Sequence, residues 1–437
     1  MLPTDVTNHK MSLSSKNTPL NVLTFSALVD SSSGKVSSYD VRRGKVGNIR
    51  ILNYNQVNEM FLDREDIGRH KVSDATAQDD LHLLASLASV INRRRVHIGR
   101  ALNAVDAHSD LSIYPLPLPI LADKTLDRPQ FYTGFPEIRL RFADHTNTER
   151  LGTFDQIPGG ITSETMVSEM MILAGRVAGS FGLDHNIPLP YRVQPEPSDT
   201  ELAIIDEFKN PETGAMAMSK LISKDVFLPT GNSSIKPGIH YALGVRPMPQ
   251  NDINSDAFYR GGYVRVTSPL RRFADLACHW QLKAKLSGEN HPFNFETMSQ
   301  LLVQFDQMDN WVKQIERASS RYWLWVYINR TLSKKQNYDF EGRSDYTTFF
   351  TPEEQALLEP IPAVQNIMDV RFNSETLQST VRISLPQLGG LPVDCEWPNG
   401  KTPPRKDEIK KVKINRAESA GLKRTIVCRH CLLYTSD

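Results

Sequence analysis

The sequence predicts an α+β fold: a large mixed helix-and-strand region followed by a small all-β, OB-like barrel. Three observations carry that expectation. The chain opens on strand-like alternation, its middle holds long apolar stripes at helical spacing, and beyond about residue 340 short apolar runs recur between Gly, Pro and Asn. Its 437 residues suit two or three domains at about 150 residues each.

Residues 22–29 place Leu23, Phe25, Ala27 and Val29 on one face, the period of a half-buried strand. Ser31-Ser32-Ser33-Gly34 turns the chain and residues 36–41 return it, so an antiparallel hairpin is expected. Asn53 with Gln56 three residues on reads as a capping box opening a helix, with Tyr54 in its first turn. A second helix is expected over 79–92, and Arg93-Arg94-Arg95 reads as its solvated end, ahead of an RNA contact. Residues 137–142 alternate as a strand, after Pro115, Pro117 and Pro119.

From Glu164 to Phe181 a wide apolar stripe predicts a buried helix, ended by Gly182 and Pro188. Residues 195–240 read as connection with one short helix near 215–222. Ser268-Pro269 reads as an N-cap and first helical residue, with the helix continuing to about Leu286. Leu301, Phe305, Met308, Val312 and Ile315 define another long helix, extending or restarting through Trp323 to Trp325. Short strands are then expected at 370–372, 380–383, 393–397 and 409–414.

Composition narrows the function. Lys plus Arg number 51 against 50 Asp plus Glu, so a polyanion site must be a local cluster. No uninterrupted apolar run approaches the ~20 residues of a membrane span, and no membrane partner is expected. With 18 Phe, 13 Tyr and 5 Trp, disorder throughout is excluded, and four cysteines exclude a disulfide scaffold. Met1 to Asp5 carry no targeting signal, and the abrupt strand start and patternless end read as a fragment of a longer frame. Cys428 and Cys431 have C-x-x-C spacing without a second pair, so zinc is not expected, and His240 and His279 read as satisfied core or helix-face residues.

The segment from Tyr263 to Trp280 carries the chemistry. A helix start with Arg271 and Arg272 in its first turn combines free N–H groups, dipole and guanidinium charge into a place for a phosphate. Asp275 is placed to hold Arg271 at i,i+4, with His279 continuing that face; one surface ion pair is the plainer alternative.

Ser268-Pro269-Leu270-Arg271-Arg272-Phe273-Ala274-Asp275, with His279 beyond, resembles a block of the ribonuclease II/RNase R (RNB-domain) exoribonucleases. Further blocks in the family's order are Leu23–Ala27, Asn53–Val57, Val167–Ala174 and Pro190–Gln194. The likeness covers residues 1 to about 330, and the wording of 266–272 and 279–282 is most similar to the fungal mitochondrial branch. The resemblance implies a 3′→5′ exoribonuclease that hydrolyses single-stranded RNA to nucleoside 5′-monophosphates with an attacking water and two Mg2+ ions held by aspartates. It implies catalytic roles for Arg271 and Arg272, with Arg271 at the scissile phosphate. It implies RNA contacts for Tyr54 and Glu169, and extends them to Ser268, Asp275 and His279. Ser168 and Gly175 depart from the family's common residues, another acid and Asn.

By the same resemblance, residues 1–335 are the C-terminal portion of the catalytic domain, 345–420 an OB-fold-like RNA-binding domain, and 421–437 an unstructured tail. Arg371, Lys401, Arg405, Lys410, Lys411, Lys413 and Arg416 are candidates to track an RNA backbone there, or lysines on strand edges. The family's metal-binding aspartates precede the first block, and residues 1–20 supply only Asp5. Asp74, Asp79 and Asp80 follow the hairpin and read as helix-capping residues. No metal ligand is therefore expected in this chain, and the chain alone is expected to be inactive. An RNA helicase is a further candidate partner, and mitochondrial placement rests on the resemblance alone. The alternative function is a noncatalytic RNA-binding pseudo-nuclease or a scaffold subunit of an RNA-degradation complex.

Overall fold

The computed structural model describes residues 11–13, 19–47, 49–61, 75–105, 110–114, 137–141, 161–209, 211, 214–217, 221, 226, 228–364, 370–373, 378–385, 388, 391–398, 409–420 and 423–430. In chain order the elements are β1 (Leu20–Val29), β2 (Val36–Val46), α1 (Tyr54–Phe61), α2 (Ala75–His97), β3 (Asn103–Val105), β4 (Asp110–Tyr114), β5 (Glu137–Arg141), α3 (Ser163–Asp184), β6 (Tyr191–Val193), α4 (Asp199–Phe208), β7 (Ala215–Ala217), β8 (Asn232–Ser234), α5 (Phe273–Ser287), α6 (Phe295–Phe340), α7 (Tyr346–Phe349), α8 (Pro352–Leu358), β9 (Ile361–Val364), β10 (Val370–Asn373), β11 (Gln378–Leu385), β12 (Leu391–Trp397), β13 (Ile409–Ala420) and β14 (Lys423–His430). They divide into two compact units, one of Met1–Val105, Glu149–Met216 and Leu228–Asn310, the other of Asp106–Thr148, Ala217–Phe227 and Trp311–Asp437.

In the first unit β1 and β2 form the expected antiparallel hairpin, with Phe25 opposite Val41 and Leu23 opposite Arg43. Its inner face packs on α3: Val36 and Val41 join Val177, Ala178, Phe181, Tyr191, Phe258, Val264, Cys278 and Leu282 in one core. Alternation put Leu23, Phe25, Ala27 and Val29 against that same core. The Asn53 capping box opens α1, with Gln56 N–H donating to Asn53 at 2.9 Å and Asn53 N–H to Gln56 at 3.0 Å. α1 packs with α2 and α3 through Val57, Phe61, Ala85, Ala88 and Met166.

α3 is long and apolar enough by composition to cross a membrane. Its burial in this core is the physical reason for that composition. Gly182 does not end it: the helix runs to Asp184, and Asn186 turns the chain at φ 51°. Gly182 sits inside because a Cβ there would meet Leu189 at 2.2 Å. Of the residues expected as a short helix over 215–222, Ala215–Ala217 are instead β7 and Leu221 is helical, while an unexpected helix, α4, is set by a Ser198–Glu201 capping box.

In the second unit, β9 pairs both β13 and β11, so the chain of pairings β9–β11–β12–β14–β13–β9 closes on itself, with β10 added on β11. All pairs are antiparallel except β12 with β14. A closed five-stranded path of this order is consistent with the OB-like barrel expected. Val381, Ile383, Leu385, Val393, Cys395, Trp397, Val412, Ile414, Ile426 and Cys428 fill it, with Leu324, Ile328 and Leu357 from the helices.

β14 corrects the expectation of an unstructured tail: residues 423–430 are a strand between β12 and β13, and Cys428 is buried among its core residues. Residues 431–437, with Cys431, lie outside the described residues, as do Asp74, Lys401 and Arg405.

Candidate functional site

The turn from Ser268 to Arg272 precedes α5 and is not its first turn. Ser268 O accepts from the N–H groups of Arg271 and Arg272 at 3.2 and 3.0 Å, and the helix starts at Phe273 with Arg272 as N-cap. This corrects the Ser268 N-cap reading. The cause is Asp275, fully buried, whose Oδ2 accepts the Ser268 N–H at 2.9 Å and folds the turn back on the helix. The same carboxylate takes Arg272 in a bidentate pair, Nε to Oδ1 at 2.9 Å and Nη2 to Oδ2 at 2.7 Å.

Asp275 thus holds Arg272, not Arg271, and the expected i,i+4 pair is replaced by one at i,i+3. Released from it, the Arg271 side chain is exposed and makes no ion pair among the described residues. His279, two turns into α5 and half-buried, donates Nε2–H to Val266 O at 2.7 Å. Burial pulls its pKa below the ordinary histidine value, with the Val266 carbonyl opposing. Its ring braces the segment entering the turn.

Glu169 lies at the centre of a second group. It is 1% exposed, on the inner face of α3, and Arg95 Nε donates to its Oε2 at 2.8 Å while Arg95 Nη2 pairs with Oε1. Asn92 Nδ2 donates to Oε1 at 2.7 Å, and the remaining Arg95 Nη1 reaches Leu243 O at 2.7 Å. The arginine run at the end of α2 is therefore not a solvated helix end: only Arg93 is exposed. Sequence reasoning missed Asn92 and Arg95. A signal existed, because Ala85, Ala88, Asn92 and Arg95 repeat at three- and four-residue spacing and form one buried stripe of α2.

Tyr54 is 48% exposed at the start of α1. Its carbonyl accepts from Ser163 Oγ at 3.1 Å, and Asn58 Oδ1 accepts the Ser163 N–H at 2.8 Å, which ties α1 to the first turn of the helix bearing Glu169. The opposite half of α3 is tied to the extended segment before the Ser268 turn. Gly175 O accepts the Val264 N–H at 3.3 Å, and a Cβ on Gly175 would meet the Tyr263 ring at 2.3 Å. That close approach leaves room for a glycine only. Ser268, Arg272 and Asp275 are thus brought together, Tyr54 and Glu169 share α3 as support, and no contact joins Glu169 to Arg271 among the described residues.

Among the described residues no three or more His, Cys, Asp or Glu side chains gather as a metal site. The donor set two magnesium ions require is not formed by them. In the barrel, Lys411 and Lys413 are exposed and alternate with buried Val412 and Ile414, whereas Arg416 pairs with Glu396 and Glu418.

A family profile for the RNB domain matches residues 1–288, well over half of the chain. The chain belongs to the RNB family. Among RNB relatives, an uncharacterised ribonuclease of Synechocystis sp. is 34% identical over 175 residues, 39% of this chain and 23% of that protein. The mitochondrial exoribonuclease II of Schizosaccharomyces pombe is 24% identical over 374 residues, 83% of this chain and 36% of that protein. The chain therefore spans about a quarter to a third of the length of these relatives. In fold it is similar to an active-site mutant of the Dss1 exoribonuclease from Candida glabrata, with a TM-score of 0.61 and 19% identity, covering 96% of this chain and 44% of that one. The RNB assignment agrees with the order of blocks read from the sequence and with the mixed region followed by a strand-rich one.

Proposed function

We propose that this chain is the RNA-holding portion of a 3′→5′ exoribonuclease that hydrolyses single-stranded RNA to nucleoside 5′-monophosphates. The observation that carries the reading is the Asp275 lock. By taking the Ser268 N–H and the Arg272 guanidinium together, it fixes the turn and leaves Arg271 as an exposed cation on a rigid base. In-line displacement at a phosphodiester builds negative charge on the non-bridging oxygens, and a guanidinium held there lowers that barrier. In this reading Arg271 is the phosphate ligand, Arg272 and Asp275 are positioning residues, and His279 braces the segment leading into the turn. Tyr54, exposed and anchored through its backbone, offers a ring to a terminal base.

Glu169 takes a different part from a free ribose ligand. Its carboxylate already accepts three hydrogen bonds from Arg95 and Asn92, so it reaches a 2′-OH only through a remaining lone pair. Magnesium belongs to the full-length enzyme in this reading, and chain 1–437 alone binds RNA without cutting it. Mitochondrial placement follows from relatives named as mitochondrial enzymes, and a helicase feeding the strand is compatible with it.

The test is fluorescence anisotropy with a single-stranded oligoribonucleotide. Arg271→Ala weakens binding several-fold and flattens the slope of log affinity against log salt by about 0.7, the loss of one phosphate contact on a single strand. Unchanged affinity and slope would remove Arg271 from the RNA. EDTA-sensitive, Mg2+-dependent cutting by chain 1–437 would overturn its inactivity, while a full-length protein that binds RNA but never cuts it would make this a pseudo-nuclease.

A further inference from the structure

A cleft in the first unit lies beside Glu169 but is not used by the reading above. It runs along the C-terminal half of α2 and the middle of α3 and is open to solvent. Arg94, Arg95, Arg176 and Arg246 line it, with Asp256 the acidic residue of its wall. Four guanidiniums face three carboxylates in this neighbourhood, and the pairing is uneven. Arg95 is fully engaged by Glu169, and Arg246 Nη1 pairs with Glu196 while its Nε donates to Gly99 O at 2.7 Å. Arg94 and Arg176 must share Asp256, at the long distances of 3.7 and 3.5 Å.

Two nitrogen donors are left over. Arg176 Nε and Arg246 Nη2 are buried without a hydrogen-bond partner among the described residues. Arg176 has its guanidinium carbon 4.5 Å from the centre of the Phe258 ring, which contributes no lone-pair acceptor. Burial weakens its hold on its proton, Asp256 opposes, and Arg95 and Arg94 add to the loss. An arginine does not discharge under such conditions. Buried, unpaired donors of one sign are costly unless an anion meets them.

We propose that this cleft is a binding site for a phosphate-type oxyanion, inorganic phosphate or a phosphate monoester, held by the unpaired edges of Arg176 and Arg246 with Arg94 completing the charge. A tetrahedral oxyanion supplies acceptors in several directions, and guanidinium forks match it in pairs. The site stands on different residues from the Ser268 turn and does not depend on the nuclease reading.

Equilibrium dialysis of the full 437-residue chain against radiolabelled inorganic phosphate, at fixed ionic strength in chloride, tests it. Saturable uptake of one phosphate per chain is expected. Arg246→Met and Arg176→Met each weaken it at least tenfold, with circular dichroism and cooperative unfolding kept in at least Arg246→Met, and Arg271→Ala leaves uptake unchanged. Unlabelled adenosine 5′-monophosphate displaces the label if the site accepts a monoester and leaves it bound if only free phosphate enters, which separates the two sources. No saturable uptake by the unsubstituted chain overturns the site, whatever the variants do. Uptake that survives both Met substitutions, or that vanishes with Arg271→Ala, equally overturns it by moving the anion elsewhere.

Discussion

Two arginine groups that look alike in sequence have opposite fates. Arg93-Arg94-Arg95 closes an amphipathic helix, and Arg271-Arg272 follows a Ser-Pro pair. In the first, Arg95 and Arg94 turn inward to Glu169 and Asp256 and only Arg93 meets solvent. In the second, Arg272 is fixed by Asp275 and Arg271 stays outside. The difference lies in where the carboxylates sit. Asp275 is three residues from Arg272, whereas Glu169 is 74 residues from Arg95. Local spacing brought Asp275 into reach of the Arg271-Arg272 pair, although it pointed to Arg271, and is silent about Glu169 and Arg95.

The largest expected effect breaks the buried pair. Glu169→Ala leaves the Arg95 guanidinium buried without its carboxylate and should cost about 3–5 kcal/mol, read by urea unfolding. A cost under about 1 kcal/mol would show that Arg95 finds water in the variant and that the two groups are less different than their burial implies. Asp275→Ala comes next, at about 2–4 kcal/mol, because it strips a bidentate arginine and a backbone N–H of a buried acceptor. It should also loosen the base beneath Arg271 and weaken RNA binding, an effect that Glu169→Gln would not reproduce through the turn.

A smaller effect is set by pH. Burial first, then Arg192 and Arg265, pull the pKa of His240 down to about 4 from an ordinary 6.5. Between those values the unfolded chain binds the proton and the folded chain does not. Stability is therefore full above pH 6.5 and falls as pH drops toward 4, by at most about 1.4 kcal/mol per pH unit from this residue. His279 shifts in the same direction and steepens the loss. His240→Gln should flatten the acid limb of a pH–stability curve, and a limb of unchanged slope would assign it to other groups. Smallest is Arg271→Ala, which should change stability by less than about 0.5 kcal/mol while altering RNA affinity. A large loss of stability would mean that Arg271 belongs with the buried arginines after all.

What sequence reading reached follows the same division between local and distant causes. The hairpin was legible because its period of two exposes Leu23, Phe25, Ala27 and Val29 as one face. The Asn53–Gln56 box was legible because both partners lie within one helical turn. The start of α5 was displaced because Ser268-Pro269 has the chemistry of a helix start, while the buried Asp275 claims the Ser268 N–H from seven residues on. α4 went unread in a Pro-rich stretch although Ser198 and Glu201 formed its cap, and β14 because its partners in β12 and β13 are not its pattern but its neighbours. Of the site, the Ser268–Asp275 segment and Tyr54 were singled out, whereas the turn ahead of α5 and the burial of Glu169 were not legible.

The last strand of the barrel also bears on how this unit assembles. β14 sits between β13, its hairpin partner, and β12, which it meets in parallel after an intervening strand. No partial barrel can close until that strand is in place, so the chain cannot lock its sheet progressively from one end. Closure of this kind waits on contacts between sequence-distant segments, which slows folding relative to a meander of equal size. During that interval the flanks of β12 and β13 lie open to pairing with another molecule, and refolding yield should fall steeply with protein concentration.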